Sequence, residues 1–170
     1  PRRRRVAWPE RGVGILNGIA GDYLDRRGLS LSIAMTFVQE GRPLALDARS
    51  IAAAQPAATG KIAILVHGWC CTEDVWNFAD DASTYASRLQ RDAGYTPFAI
   101  RYNTGLPIAD SGRDFARLLR ALAVAYPVPI EEIVYLKAEL KYITIRTAQR
   151  EHLLEESLTR LEQEFGSRFV

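Results

Sequence analysis

The chain has two cysteines, Cys70 and Cys71, and they are adjacent. Neighbouring cysteines rarely pair, because the bridge strains the peptide between them. A disulfide framework is therefore excluded, which fits a reducing compartment. No apolar run approaches the roughly 18–20 residues that span a bilayer, so a membrane-spanning helix is excluded. Pro9-Glu10-Arg11 interrupts any signal-peptide core. The expectation is a soluble, cytoplasmic chain. The net charge of +2 is too small to argue for nucleic acid by itself. Internal repeats and low-complexity segments are absent, and neither a metal site nor a cofactor is expected.

What is present is one ordinary domain, or two small ones, of 170 residues. Its 48% hydrophobic content suits a globular core. Arg2 to Arg5 form one basic run. At a chain end such a run reads as a solvated tail, with phosphate or membrane contact the minority reading. The chain begins with Pro1 rather than Met and ends on Phe169-Val170, which reads as a fragment.

Along the chain, Ile15, Leu16, Ile19, Tyr23 and Leu24 recur at helical spacing and predict an amphipathic helix packing on the body over 12–28. Ser32 to Val38 reads as a strand, Glu40 to Pro43 as a turn, and Leu44 to Leu46 as a return strand. Ile51 to Gly60 reads as a loop. Lys61 to Val66 is a continuous apolar run, the mark of a strand buried on both faces. Asp80 to Ala93 is a predicted helix ended by Gly94, and Thr96 to Tyr102 a second buried strand. Ser111 is read as the cap of a helix carrying Phe115, Leu118, Leu119, Leu122 and Tyr126, stopped by Pro127. Ile133 to Leu136 is a third strand. Strand, helix, strand, helix, strand implies right-handed crossovers and a parallel sheet. Beyond Leu140, Lys141 to Thr147 alternates as a strand with one wet face, Glu151 to Leu154 is a third short strand of that region, and Leu154, Leu158, Leu161 and Phe165 mark a final helix.

His67-Gly68-Trp69-Cys70 follows the first buried strand directly. A glycine there lets the backbone turn sharply, so that the next amides can face a cleft at the carboxyl end of the sheet. A plain tight turn is the alternative. Residues 12–134 resemble bacterial lipase- or esterase-like α/β hydrolases. The resemblance is carried by Leu16-Asn17-Gly18, Asp22-Tyr23-Leu24, Gly41 to Leu44, Val66-His67-Gly68, Gly94 to Pro97, Arg101 to Leu106, Gly112-Arg113 and Val128 to Val134. It implies an oxyanion hole served by the amides of Trp69 and Cys70, a structural role for His67 and Gly68, and an ester or lipid-like small molecule as ligand. The serine elbow of that family, G-x-S-x-G, is missing. The acid and histidine that would follow it are missing too, and His152 lies in the other half. No catalytic residue is assigned, and an inactive relative is expected. A thiol nucleophile at Cys70 or Cys71 would need a base or a lowered pKa.

Residues 129–170 resemble the first part of a LytTR-type DNA-binding domain. The carrying residues are Ile133 to Glu139, Lys141 to Ile145, Leu153 to Leu158, Leu161-Glu162 and Arg168 to Val170. The resemblance implies DNA as partner, with Glu139 and Lys141 in a contacting loop. Without it, they are charges at a hairpin bend. Six Lys/Arg face six Asp/Glu from 133 to 170, which supplies little phosphate attraction. Val128 to Leu136 fits both families, so the join falls where the two sequences look alike. That suggests recombination of two genes, a misassembled reading or a constructed sequence. The resulting expectation is an α/β fold: a partial hydrolase-like parallel sheet flanked by helices in 1–132, and a C-terminal β-hairpin plus helix in 133–170. Its function is expected to be hydrolase-related or, alternatively, that of a truncated DNA-binding regulator. The incomplete sheet is expected to leave an edge open to self-association.

Overall fold

The computed structural model describes residues 8–77, 83–139, 142–147 and 149–154. Seven strands form one mixed sheet with helices against both faces. The elements are α1 (Trp8–Arg26), β1 (Thr36–Gln39), β2 (Arg42–Pro43), α2 (Ala48–Ala54), β3 (Lys61–Val66), a 3-10 turn (Glu73–Trp76), α3 (Tyr85–Ala93), β4 (Thr96–Arg101), α4 (Ile108–Ala125), β5 (Glu132–Glu139), β6 (Tyr142–Arg146) and β7 (Glu151–Leu154). The strand order is β2-β1-β4-β3-β5-β6-β7. β4, β3 and β5 run parallel, as the alternation of strands and helices predicts, and the flanking pairs are antiparallel.

The apolar run of β3 is explained by its position at the centre. Ile62, Ala63, Ile64 and Leu65 are all fully buried, because both faces of the strand are covered. Ile62 and Ile64 pack with Phe37, Phe98, Ile100, Ile51 of α2 and Leu122 of α4. Ala63 and Leu65 pack with Val134, Leu136, Ala138 and Trp76, and Leu89 of α3 lies against that cluster. Arg101 forks onto the Glu73 carboxylate, tying the turn after β3 to the end of β4.

Several expectations are corrected. The first strand begins at Thr36 rather than Ser32, because Ile33 is spent on a bond from its amide to Asn17. The return strand is Arg42–Pro43, not Leu44 to Leu46. Glu40 and Gly41 both have positive φ and close a two-residue turn, which brings pairing forward. The expected loop at 51–60 opens as helix α2. Asp47 caps it by accepting from the Ser50 amide at 2.8 Å, a cap that Pro56 and Gly60 obscure in the sequence. α3 begins at Tyr85 with a Thr84–Ser87 capping box; 78–82 lie outside the described residues. Gly94 ends it at φ 70°, as expected. Ser111 is not a cap: α4 starts at Ile108, and the Ser111 amide already bonds the Pro107 carbonyl.

The largest correction concerns α1. Ile15, Ile19 and Tyr23, expected to be inward, are 50%, 72% and 58% exposed, and Leu16 is exposed as well. The helix is seated instead through Gly14, Asn17, Gly18, Gly21 and Leu24. A Cβ at Gly21 would stand 1.9 Å from Asn103, and one at Gly18 would stand 2.3 Å from Cys70. Backbone approach, not apolar side chains, seats this helix.

β5 reaches Glu139, beyond the expected Leu136. It pairs with β3 over six residues on one edge and with β6 over five on the other. The edge expected to stand open beside the third parallel strand is therefore covered by β6. The 132/133 boundary falls inside β5, between its first two residues. The final helix predicted from 154 onward lies outside the described residues.

Candidate functional site

The loop leaving β3 sits at the carboxyl ends of the parallel strands. His67 is fully buried and stacks on Tyr102 with ring centroids 4.5 Å apart. Its Nδ1 lies 3.1 Å from the Gly68 carbonyl oxygen, and its Nε2 accepts the Tyr102 amide at 3.4 Å. These partners favour the Nδ1–H tautomer. The Tyr102 hydroxyl donates to the His67 carbonyl at 2.9 Å. Burial pushes the His67 pKa below 6.5, against the opposing pull of the Gly68 carbonyl and Glu73. With both ring nitrogens engaged, the histidine is a neutral brace and offers no base to a neighbouring thiol.

That burial gives a pH expectation. The folded pKa lies below the unfolded one, so unfolded chains bind the extra proton. The His67 contribution is fully present above about 6.5 and is lost as pH falls through the folded pKa. Denaturation midpoints are expected to drop below that pH, and to drop less in His67→Gln. Identical pH profiles for the two proteins would remove the assignment.

The Cys70 amide, expected as an oxyanion donor, gives its hydrogen to Thr104 Oγ1 at 3.1 Å. Cys70 itself sits in left-handed backbone at φ 58°. A ligand oxygen there would have to displace the threonine hydroxyl. The Trp69 ring is 59% exposed and its Nε1 donates to the Gly18 carbonyl of α1 at 2.9 Å. Burial, then the neighbouring Cys70, raises the Cys71 pKa, which keeps that thiol protonated. Two asparagines whose clamping role sequence reasoning missed hold this end together. Asn17 donates to the Val13 and Leu31 carbonyls and accepts from Ile33. Asn103 donates to the Gly21 carbonyl at 3.0 Å and accepts from Gly105. Both are invisible to hydrophobic periodicity, because they act on backbone.

A cleft of about 650 Å³ opens between α1, the end of β4 and α4. Tyr102 lines it; His67, Trp69 and Cys70 do not. Its arginines are neutralised in place, Arg26 by Asp22 at 3.0 Å, Arg113 by Asp110 and Arg117 by Asp114. Among the described residues no cluster of His, Cys, Asp and Glu could hold a metal ion. Among the described residues no helix is long and apolar enough to cross a membrane.

The second candidate lies at the same carboxyl end of the sheet, one strand over, where β5 runs parallel to β3. Glu139 ends β5 in register with Tyr142 of β6, so the two strands turn within two residues. Lys141 and the Glu139 side chain lie outside the described residues. On the hairpin, Lys137 pairs Thr144, and Tyr135 pairs Arg146. Arg146 reaches Glu151 of β7 at 3.4 Å. Both are well exposed, so the pair holds little energy.

The comparisons with known proteins bear on this second candidate. The positive alginate biosynthesis regulatory protein of Pseudomonas aeruginosa is 54% identical over 43 residues, 25% of this chain and 17% of that protein. The chain thus spans well under a fifth of the curated relative it matches. No solved structure matches the chain. None of the matches supports the hydrolase resemblance of 12–134, which rests on its own residues. The family described as LytTr DNA-binding domain matches residues 124–170, so this stretch is similar to that domain.

Proposed function

We propose that the chain works as a cytoplasmic DNA-binding module of the transcriptional-regulator kind, with 133–170 as its partial reading unit. The family match over 124–170 carries this reading. It is supported by the relative's name, a regulatory protein, at 54% identity over the matched stretch. The β5–β6 corner, with Glu139 and Lys141, is the contact loop, and Lys137 and Arg146 lie along the same hairpin. Charges from 133 to 170 balance, so affinity is low and mostly phosphate-driven. Fluorescence anisotropy with labelled duplex is expected to show binding that weakens with salt. Lys141→Glu is expected to weaken it on all sequences and to reduce the salt slope by about 1. Failure to bind any duplex at low salt would end this reading.

A second reading, for 1–132, is an inactive relative of the ester hydrolases. The His67-Gly68 loop, leaving the central parallel strand where such sheets bind ligands, favours it. No turnover of a short-chain chromogenic ester is expected, since His67 is fully engaged and Cys71 is held protonated. Turnover abolished by Cys70→Ala or Cys71→Ala would overturn the assignment of no nucleophile.

A further inference from the structure

β3 leads into α3, whose Leu89 packs on the face of the sheet carrying Ala63 and Leu65. β4 leads into α4, whose Leu122 packs on the opposite face, with Ile62 and Ile64. Two neighbouring parallel strands thus send the chain to opposite faces. The gap between their carboxyl ends is where an open α/β sheet of this connectivity takes a ligand. Here α1 lies across that gap. Its Gly18 sits against Cys70 of the loop after β3, and its Gly21 against Asn103 of the loop after β4.

The way α1 is held separates it from the sheet. Among the described residues, none of α1 belongs to either apolar cluster on the two faces. Its ties to the two loops are polar. The Trp69 indole donates to the Gly18 carbonyl at 2.9 Å, and the Asn103 side chain donates to the Gly21 carbonyl at 3.0 Å. These two carbonyls flank Ala20, where the chain leaves helical geometry. Asn17 binds α1 to the segment that follows it, donating to the Leu31 carbonyl at 2.7 Å and accepting from the Ile33 amide at 2.9 Å. The Ser32 hydroxyl donates to Asp25 at 3.1 Å, so residues 27–33 travel with the helix. An element seated by a few polar bonds, with little apolar burial, opens before the core does. We propose that α1 with residues 27–33 is a strap that closes the gap and opens as one unit while the sheet stays folded. Closed, its own main-chain carbonyls take the Trp69 and Asn103 donors; open, it leaves them to a ligand. The strap covers the ends of β3 and β4 and does not rest on the DNA-binding reading.

The test is native-state hydrogen exchange of the whole chain across low urea. Amides of 17–24 are expected to exchange faster than those of 62–65 and 98–101. Their urea dependence is expected to be shallower, because lifting the strap exposes less surface than global unfolding. The Ile33 amide, held by Asn17, is expected to share the slope of 17–24. Trp69→Phe removes the tie to Gly18 at an exposed side chain, so the apolar core is untouched, which circular dichroism checks. It is expected to speed exchange of 17–24 by about fivefold, the worth of one hydrogen bond, and to leave 62–65 at the parent rate. One rate and one urea slope for 17–24 and 62–65 overturns the proposal, because the helix then leaves only with the core. So does an Ile33 amide that opens apart from 17–24, or a Trp69→Phe change that speeds both segments equally or neither.

Discussion

Gly105→Ala is expected to be among the most damaging single substitutions in this chain, lowering the urea midpoint by the equivalent of about 3 kcal/mol or more. The added Cβ would stand 2.2 Å from the Asn17 carbonyl oxygen, 2.9 Å from the Gly21 amide nitrogen and 3.1 Å from the Gly18 carbonyl oxygen. All three are backbone atoms of α1, so no side chain can swing aside. The helix itself must lift. Lifting it breaks the Asn103 bond to Gly21 and the Trp69 bond to Gly18, and leaves the Asn103 amide buried without its partner. Limited proteolysis within 8–26 is expected to quicken in step. An unchanged midpoint and an uncut helix would mean that α1 is not seated as described. Gly12→Ala on the same helix is the control, since a Cβ there meets nothing within 4 Å and adds helix propensity.

Trp76→Ala is expected to cost about 3–5 kcal/mol, as truncation of a buried aromatic does. Trp76 is 2% exposed and fills the cluster beneath β3 and β5, edge-on to Tyr85 of α3 at 5.6 Å. It packs at once against β3 and against the strand matched to the DNA-binding family. Its loss is therefore expected to destabilise both ends of the sheet together, with fluorescence and far-ultraviolet dichroism melting as one transition. Two separated transitions would instead support two independently folded pieces. Trp76→Phe separates the causes. Its indole Nε1 is buried with no hydrogen-bond partner among the described residues, a cost that phenylalanine removes. The Phe variant is expected to retain most of the parent's stability. A Phe variant as damaged as Ala would mean that the indole nitrogen is satisfied.

The parallel centre was legible because runs such as Lys61 to Val66 and Thr96 to Arg101 are apolar without alternation, which only two covered faces allow. The stop at Gly94 was legible because left-handed backbone selects glycine. At the candidate site, the sequence pointed to the turn at His67-Gly68 and to the bend near Glu139. It could not show that the Tyr102 amide engages the second His67 ring nitrogen, or that Thr104 takes the Cys70 amide, since Tyr102 and Thr104 lie more than 30 residues away along the chain.

Two decisions belonged to the tertiary structure alone. The first is which face of α1 is buried. Periodicity assigns the apolar stripe inward, yet the helix is held by glycines that admit close backbone contact and by Asn17, which satisfies backbone groups of the segment beside it. The second is the company of β5. Its residues suit the strand before a serine elbow and equally suit the first strand of a DNA-binding hairpin, because both need an apolar strand after a turn. A strand has two edges, and here β3 takes one and β6 the other. Composition determined that 133–136 would be a strand; only the hydrogen-bonding edges around it decided how far the strand runs and that one strand would serve both halves of the chain.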